Sequence, residues 1–176
     1  TKVQSLADIQ KMIEEVLALK RAYRISRILE IILAGSIALK ASDVHLEPEA
    51  EKIRLRYRLD GVLTDILFFD KETFALLLSR IKLVSELKLN VTSIAQDGRF
   101  SIKLGDSEIE IRTSLLPGPN GESVVLRVLN PDAIAVDMEK LGIHPKILEI
   151  INREIRKPNG LVLTTGPTGS GKTTTL

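Results

Sequence analysis

The residues with the clearest chemistry lie near the end of the chain, where positions 166–173 fit the pattern G-x-x-x-x-G-K-[ST]. Glycines in such a loop let the backbone curl, so that successive N–H groups point inward at an anion. Lys172 adds a positive charge for the outer phosphates, and the Thr173 hydroxyl suits a magnesium ion. The pattern therefore predicts a triphosphate site rather than an incidental glycine loop. Its predicted residues are Gly166, Pro167, Thr168, Gly169, Ser170, Gly171, Lys172, Thr173 and Thr174, with Thr173 as the magnesium ligand.

A phosphate loop of this kind needs a strand before it and a helix after it. Residues 161–163 form an apolar run behind the turn-forming Pro158-Asn159-Gly160, which is typical of a buried parallel strand. Earlier in the chain, Pro145 suits the first turn of a helix that we predict over residues 145–157. A single strand cannot form a parallel sheet. We therefore expect residues 145–176 to open an incomplete α/β domain, and the chain to be a fragment.

The composition is that of an ordinary globular protein with one core. The chain has 176 residues, of which 44% are hydrophobic and 27% are charged. A net charge of +2 and an aromatic content of 3% predict no nucleic-acid partner. The absence of cysteine excludes thiolate metal sites and cysteine nucleophiles from this sequence. The most apolar stretch, residues 28–39, contains Glu30 and is too short to cross a bilayer, so no transmembrane segment is predicted.

The residues before the loop predict helices followed by a sheet. Helical spacing of apolar residues predicts helices at residues 6–20, 22–40 and 73–89. Mixed charges on the first helix favour packing on its own domain or on a neighbouring subunit over membrane binding. Two hairpins turn at Asp60-Gly61 and Gly105-Asp106. The predicted strands are residues 44–46, 53–59, 62–68, 100–104, 108–115 and 124–129, with a loop at 117–121.

The fold class that follows is α+β, with a mostly antiparallel sheet ahead of the helix, strand and phosphate loop of a second domain. Residues 131–144 mix proline, aspartate and glycine without a sustained period, which predicts a linker. The predicted organisation is a helical segment or linker at 1–21, a first domain at 22–130, the linker at 131–144 and the start of a nucleotide-binding domain at 145–176.

Strict alternation over residues 53–59 places Arg54, Arg56 and Arg58 on one face of a strand. Their side chains recur at intervals of about 7 Å and repel one another. One interpretation is a solvated face, paired with Asp60 and nearby glutamates, which is a common and weak arrangement. The other is an anion site built from arginines. The residues alone leave both interpretations open.

Three other residues invite a catalytic or metal-binding interpretation. His45 and His144 are the only histidines. Since the chain has no cysteine, we expect both to be structural rather than zinc ligands, although Asp43 and Glu47 flank His45. Glu122 has the chemistry of a catalytic base, but we expect a structural role for it at the start of a strand.

Six motifs follow one another along the chain. They are Ala41-Ser42-Asp43-Val44-His45-Leu46-Glu47-Pro48, Arg56-Tyr57-Arg58-Leu59-Asp60-Gly61, Gln96-Asp97-Gly98-Arg99-Phe100, Arg112-Thr113-Ser114, Gly121-Glu122-Ser123 with Arg127, and the phosphate loop. In this order, over about residues 22–176, they resemble the ATPases of type II secretion and type IV pilus assembly. The resemblance implies a PAS-like second N-terminal domain, joined to a RecA-like motor domain that reaches only its Walker A loop.

The resemblance also implies a function. The parent protein would be a hexameric, magnesium-dependent ATPase in the cytoplasm, peripherally associated with the inner membrane. It would bind and hydrolyse ATP to assemble pilin or pseudopilin subunits, working with a cytoplasmic secretion or pilus-assembly partner and an inner-membrane platform protein. The family's remaining motor motifs lie beyond Leu176, so we expect the fragment itself to be inactive. The alternatives are a non-catalytic oligomerisation or interaction module, and a pilus-retraction or conjugation relative of the same superfamily.

Arginines of the N-terminal domain approach the outer phosphates in this family when its two domains close, in the manner of arginine fingers. The resemblance assigns this role first to Arg58 and Arg99, each of which lies beside an Asp-Gly pair. Arg56, Arg112 and Arg127 are the further candidates.

Overall fold

A computed structural model describes residues 5–18, 24–104, 107–129 and 141–167. The chain divides into two compact units, Thr1–Leu129 and Asn130–Leu176. Among the described residues, the first unit has three helices and six strands, and the second has one helix. The elements in chain order are α1 (Leu6–Leu17), α2 (Arg24–Ala38), β1 (Asp43–Pro48), β2 (Ile53–Leu59), β3 (Val62–Phe69), α3 (Lys71–Val84), β4 (Gln96–Leu104), β5 (Ser107–Gly118), β6 (Gly121–Leu129) and α4 (Pro145–Ile155).

The six strands form one antiparallel sheet in the order β3-β2-β1-β6-β5-β4. Strands next to one another in the sequence pair as β1 with β2, β2 with β3, β4 with β5 and β5 with β6. The pairing of β1 with β6 joins these two groups in the middle of the sheet. The predicted α+β class with an antiparallel sheet is confirmed for the described part of the chain.

Alternation along the strands gives the sheet one apolar and one polar face. On the apolar face, Leu46, Leu55, Tyr57 and Leu126 are fully buried in one core with residues of all three helices. The Tyr57 hydroxyl donates to the carbonyl oxygen of Ile32 at 2.6 Å, so the polar atom inside this core has a partner. Because α1, α2 and α3 share this core, they cover the same face of the sheet. The opposite face carries the charged side chains of the strands, with the exception of Glu122, which is buried on the helical side.

The first helix belongs to this core. Ser5 and Asp8 form a capping box at the start of α1, which satisfies N–H groups that have no partner within the helix. Ile9 and Ile13 are fully buried where α1 packs on α2 and β3. The helices approach closely at Gly35, where an added Cβ would lie 2.6 Å from Cδ1 of Ile9. Helix α1 therefore packs on its own unit, which is one of the two placements expected from its mixed charges.

The Asp60-Gly61 hairpin forms as predicted between β2 and β3. Both residues have positive φ angles, 48° and 83° respectively, as a two-residue type I′ turn requires. The other predicted hairpin turn, Gly105-Asp106, lies outside the described residues.

The prediction that the third helix runs over residues 73–89 is wrong at both ends. Asp70 caps the N-terminus of α3 by accepting from the backbone N–H of Thr73 at 2.7 Å. The helix ends at Val84, because Glu86 has a φ of 59° and the N–H of Leu87 turns back to the carbonyl of Lys82 at 2.8 Å. This is the Schellman arrangement, formed here without the glycine that signals it in a sequence.

Two further predictions are corrected. Residues 117–121 do not form a loop, since β5 runs to Gly118, β6 begins at Gly121, and only Pro119 and Asn120 separate the two strands. Residues 161–163 do not form a strand: they have no regular secondary structure, and their exposures are 87%, 52% and 75%. The described part of the second unit offers no neighbouring strand with which they pair, and a single strand does not satisfy its own backbone groups.

Candidate functional site: an arginine row across the sheet

The polar face of the sheet brings four of the five predicted arginines into one line. The strand register pairs Arg99 with Arg112, Arg112 with Arg127, Arg127 with Asp43, and Asp43 with Arg58. Residues directly opposite on antiparallel strands project from the same face. With neighbouring strands about 4.8 Å apart, the line crosses five strands over about 19 Å. We call these five residues the arginine row.

Asp43 is the centre of the row. Its two carboxylate oxygens accept from Nε of Arg127 at 3.0 Å and Nε of Arg58 at 3.1 Å, and the Ser42 hydroxyl donates at 2.8 Å. Burial acts to raise the pKa of Asp43. The hydrogen bonds from Arg127 and Ser42, together with the charges of Arg127 and Arg58, outweigh burial and lower the pKa below the ordinary 3.8. One ionised carboxylate therefore positions two guanidinium groups.

The arginines on either side of Asp43 keep donors that Asp43 does not use. Arg58 also donates from Nη1 to the Gly61 carbonyl at 3.3 Å. Arg127 is bound to Asp43 only through Nε, and its side chain is 64% exposed. The Arg127 side chain is thus largely exposed while its Nε is bound to Asp43.

Towards β4 the arginines of the row form fewer ion pairs with described residues, although Asp97 lies two residues before Arg99 on the same face and accepts from the Ser114 hydroxyl. Arg112 pairs with Glu110 at 3.0 Å, with its own side chain 65% exposed. Arg99 is exposed and forms no ion pair or side-chain hydrogen bond with any described residue. Like charges directly opposite one another on a sheet destabilise it, and here Arg112 lies between two other arginines. An anion bound at this end would remove that repulsion.

Arg56, the fifth candidate, is not in the row. It lies two residues from Arg58 on the same face and forms an ion pair with Glu47, while Arg54 pairs with Glu49. The expected partner Asp60 pairs with none of these arginines. The expected pairing with nearby glutamates is confirmed, and only the pairing with Asp60 is wrong, because strand β1 lies beside β2 and places Asp43 opposite Arg58 and Glu47 opposite Arg54.

His45 takes part in the same network. Its Nδ1 lies 3.3 Å from a carboxylate oxygen of Glu47. Burial is the main cause that lowers the pKa of His45 below 6.5, and the Glu47 charge opposes it. Among the described residues no three His, Cys, Asp or Glu side chains are grouped to hold a metal ion. His144 has a structural role, since its Nδ1 accepts from the N–H of Lys146 at the start of α4.

The phosphate loop is described only at its beginning. Gly166 and Pro167 lie within the described residues, whereas Thr168 to Thr174, including Lys172 and the predicted magnesium ligand Thr173, lie outside them. The assignment of these residues to phosphate and Mg²⁺ therefore remains a prediction from the sequence.

A buried ion pair under the sheet was missed in the sequence. Lys82 Nζ lies 2.8 Å from Oε2 of Glu122, and the two side chains are 2% and 6% exposed. Lys82 also donates to the Val91 carbonyl at 2.8 Å, which holds the loop between α3 and β4. Glu122 thus has a structural role. The sequence offered one signal for this ion pair: a lysine, Lys82, directly follows Ile81, which belongs to the apolar stripe of α3.

The whole chain was compared with known proteins. Residues 18–176 match the family model described as type II/IV secretion system protein. The chain belongs to this family. The resemblance inferred from the six motifs is thereby confirmed.

Individual relatives carry consistent names. Type II secretion system protein E of Pseudomonas aeruginosa is 42% identical over 172 residues, which cover 98% of this chain and 34% of that protein. The Klebsiella pneumoniae protein of the same name is 42% identical, over 86% of this chain and 31% of that protein. Type II secretion system ATPase E of Vibrio cholerae is 36% identical, over 98% and 34%. The chain therefore spans about a third of the length of these relatives.

The solved structure of the Legionella pneumophila ATPase DotB matches 84% of this chain and 39% of that chain, at 18% identity and a TM-score of 0.48. A likeness at this level carries no argument about function. Within the described residues, no helix has both the length and the apolar character needed to cross a membrane.

Proposed function

We propose that this chain is part of a magnesium-dependent motor ATPase that binds and hydrolyses ATP to power the assembly of pilin or pseudopilin subunits. Three things support the proposal: membership of the type II/IV secretion system family, the Walker A pattern at 166–173, and the name ATPase carried by the Vibrio cholerae relative. The parent protein would be a cytoplasmic hexamer, peripherally associated with the inner membrane through a platform protein and a cytoplasmic partner. Residues 22–130 would be its PAS-like domain, 131–144 a linker and 145–176 the opening of its RecA-like domain.

The donor set of the loop fits MgATP. Its glycines supply backbone N–H groups for phosphate oxygens, Lys172 supplies a positive charge for the outer phosphates, and Thr173 supplies a hydroxyl for the metal. Mg²⁺ would add positive charge at the phosphates where negative charge develops during transfer. The residues of this chain bind and orient the triphosphate.

We also propose that the arginine row binds the outer phosphates of a nucleotide, the role that the family resemblance implies for these arginines. The observation that carries this proposal is the alignment of charge: four guanidiniums lie in one register, Asp43 and Glu110 are their ion-pair partners, and Arg99 forms no ion pair with a described residue. Arginine is well suited to phosphate because its planar fork donates two parallel hydrogen bonds. Arg99, Arg112 and Arg127 would contact the anion. Asp43 would hold Arg127 and Arg58 in place.

The ATPase proposal is tested in the full-length parent with Lys172→Ala. Loss of a charged contact that strengthens in the transition state is expected to lower ATP turnover by about a hundredfold or more. Lys146→Ala, an exposed lysine on α4, is the matched control and should leave turnover unchanged. Equal turnover in the Lys172→Ala variant and the unmodified protein would refute the proposal.

The arginine row is tested separately with Arg99→Ala and Arg112→Ala. Each variant should weaken ATP binding or turnover by about tenfold to a hundredfold, the usual cost of a lost hydrogen bond to a charged group. ADP binding should hardly change if the row contacts the terminal phosphate. Arg27→Ala, an exposed arginine on α2 paired with Glu30, is the control. If both variants turn over ATP normally, the row is a solvated surface and the ATPase proposal stands without it.

A further inference from the structure

The two edges of the sheet differ in how they are covered. At one edge, α1 packs on β3, and the side chain of Gln10 donates to the backbone carbonyl of Ile66 at an irregularity in the pairing with β2. At the other edge, no described residue outside β5 forms a hydrogen bond with the backbone of β4 over residues 97–104. An uncovered edge strand presents a row of N–H and C=O groups that can pair with another extended chain.

A groove runs beside this uncovered edge, between α2 and β4, with the end of α3 at its base. Its volume is about 490 Å³. Its apolar lining comes from Leu29, Leu33 and Ile37 on α2, Val84 on α3, and Phe100 and Ile102 on β4. Phe100 and Ile102 project to the helical face of the sheet, so a strand added beside β4 would project every second side chain into the same groove.

Three charged residues border the groove. Glu30 is held by Arg27 at 2.8 Å. Arg80 and Lys103 form no ion pair with a described residue, although Lys103 lies directly opposite Glu108 on β5. Lys103 lies on β4, so it adjoins the polar-face side chains of any strand added there. The groove therefore suits an occupant that is apolar towards the helices and negatively charged on its other face.

We propose that β4 and this groove bind an extended segment of another protein, in which apolar residues alternate with acidic ones, as a seventh strand of the sheet. Main-chain hydrogen bonds to β4 would supply affinity, and the groove together with Arg80 and Lys103 would select the side chains. The five residues 100–104 that line the groove span about 17 Å, which corresponds to a segment of about five or six residues. A second copy of β4 would bring two cations, Arg99 and Lys103, and one anion, Asp97, to this edge, so it lacks the acidic face of the proposed segment.

Binding is tested with the chain itself by fluorescence anisotropy of a labelled hexapeptide, Glu-Val-Glu-Ile-Glu-Val, acetylated and amidated. A lysine-for-glutamate version and two versions N-methylated at alternate amides are the peptide controls. We expect saturable binding of the acidic peptide, about tenfold weaker binding of the lysine version, and loss of binding with one N-methylation pattern but not the other. Lys103→Glu should reverse the preference between the acidic and the lysine peptide.

A matched pair of helix variants separates groove binding from a general surface effect. Ala34 is exposed and lines the groove, so Ala34→Phe should fill it and weaken binding by about tenfold or more. Ala38 is exposed on the same helix but outside the groove, so Ala38→Phe should bind as the unmodified chain does. Circular dichroism establishes that both variants are folded.

Three results would overturn the proposal. The first is no saturable binding at millimolar peptide. The second is binding that is insensitive to both N-methylation patterns, which would mean that the peptide does not pair with β4. The third is self-association of the chain, seen by light scattering, that Ala34→Phe abolishes; this would make a second copy the occupant. None of these results bears on ATP turnover, so the proposal fails or stands independently of the ATPase assignment.

Discussion

The buried pair Lys82–Glu122 makes the most demanding prediction about stability. The two charges are almost without solvent contact, and they join α3 to the start of β6. Removing one partner of a buried ion pair leaves the other charge uncompensated, which typically costs about 3–5 kcal/mol. The structure distinguishes the two single variants, because their remaining partners differ.

Lys82→Met should cost the upper part of that range. It takes away the ammonium group that binds Glu122, whose Oε1 has no hydrogen-bond partner in the described structure and whose Oε2 would then lose its own. It also leaves the Val91 carbonyl without its donor. Glu122→Gln should cost less, since Lys82 keeps the Val91 carbonyl and gains a neutral amide oxygen as acceptor.

The assay is urea unfolding followed by far-ultraviolet circular dichroism. Lys88→Met is the control, because Lys88 is an exposed lysine in the segment after α3, and we expect a change within about 0.5 kcal/mol. The double variant Lys82→Met with Glu122→Leu should be more stable than the sum of the single costs predicts, since no charge is then left buried alone. A Lys82→Met variant as stable as the Lys88→Met control would refute the reasoning.

Three further predictions concern the sheet. The pKa of Asp43 is lowered in the folded state, so the contribution of this carboxylate to stability is complete above a pH of about 4 and is lost as the pH falls. The stability difference between the protein and Asp43→Asn, measured by urea unfolding, should therefore shrink below that pH. Gly98→Ala would place a Cβ 2.4 Å from the backbone carbonyl oxygen of Ser85, which cannot rotate away, so we expect the free energy of unfolding to fall by about 1–3 kcal/mol. An unchanged melting temperature would contradict this close approach. Tyr57→Phe removes one of two hydrogen bonds to the Ile32 carbonyl, which keeps its helical partner in α2, and should cost about 0.5–1.5 kcal/mol in the same unfolding assay. Normal stability would argue against the hydrogen bond from Tyr57.

The sequence predicted an element well where its signal lies within a few adjacent residues. Strict alternation located β2, and the Asp60-Gly61 pair located its hairpin, because a two-residue type I′ turn needs two positive φ angles that these residue types tolerate. The end of α3 could not be located in the same way. Its αL position is Glu86, a residue type that carries no stop signal, and tertiary packing around Lys82 and Ser85 decides where the helix ends.

The arginine row could be predicted only in part. Individual arginines were selected from motifs, yet nothing in a strand's own sequence says which strand will lie beside it. Asp43 meets Arg127 across 84 positions of sequence, and only the pairing of β1 with β6 brings them together. The same reasoning explains why the strand predicted at residues 161–163 is wrong. An apolar run forms a strand only when it pairs with a neighbouring strand, and the described part of the second unit has none.

The arrangement of the row also bears on how the sheet finds its alignment during folding. Each of five strands contributes one charged residue, and a neighbouring position along each strand belongs to the core, namely Val44, Tyr57, Phe100, Ile111 and Leu126. A slip of one residue in any of these strands would turn a guanidinium or the Asp43 carboxylate into the apolar layer, where an unpaired charge is strongly disfavoured. The charges that we assign to nucleotide binding therefore also disfavour misaligned strands. Substitution of one of them by a small apolar residue would make a slipped strand register less unfavourable, in addition to weakening the site.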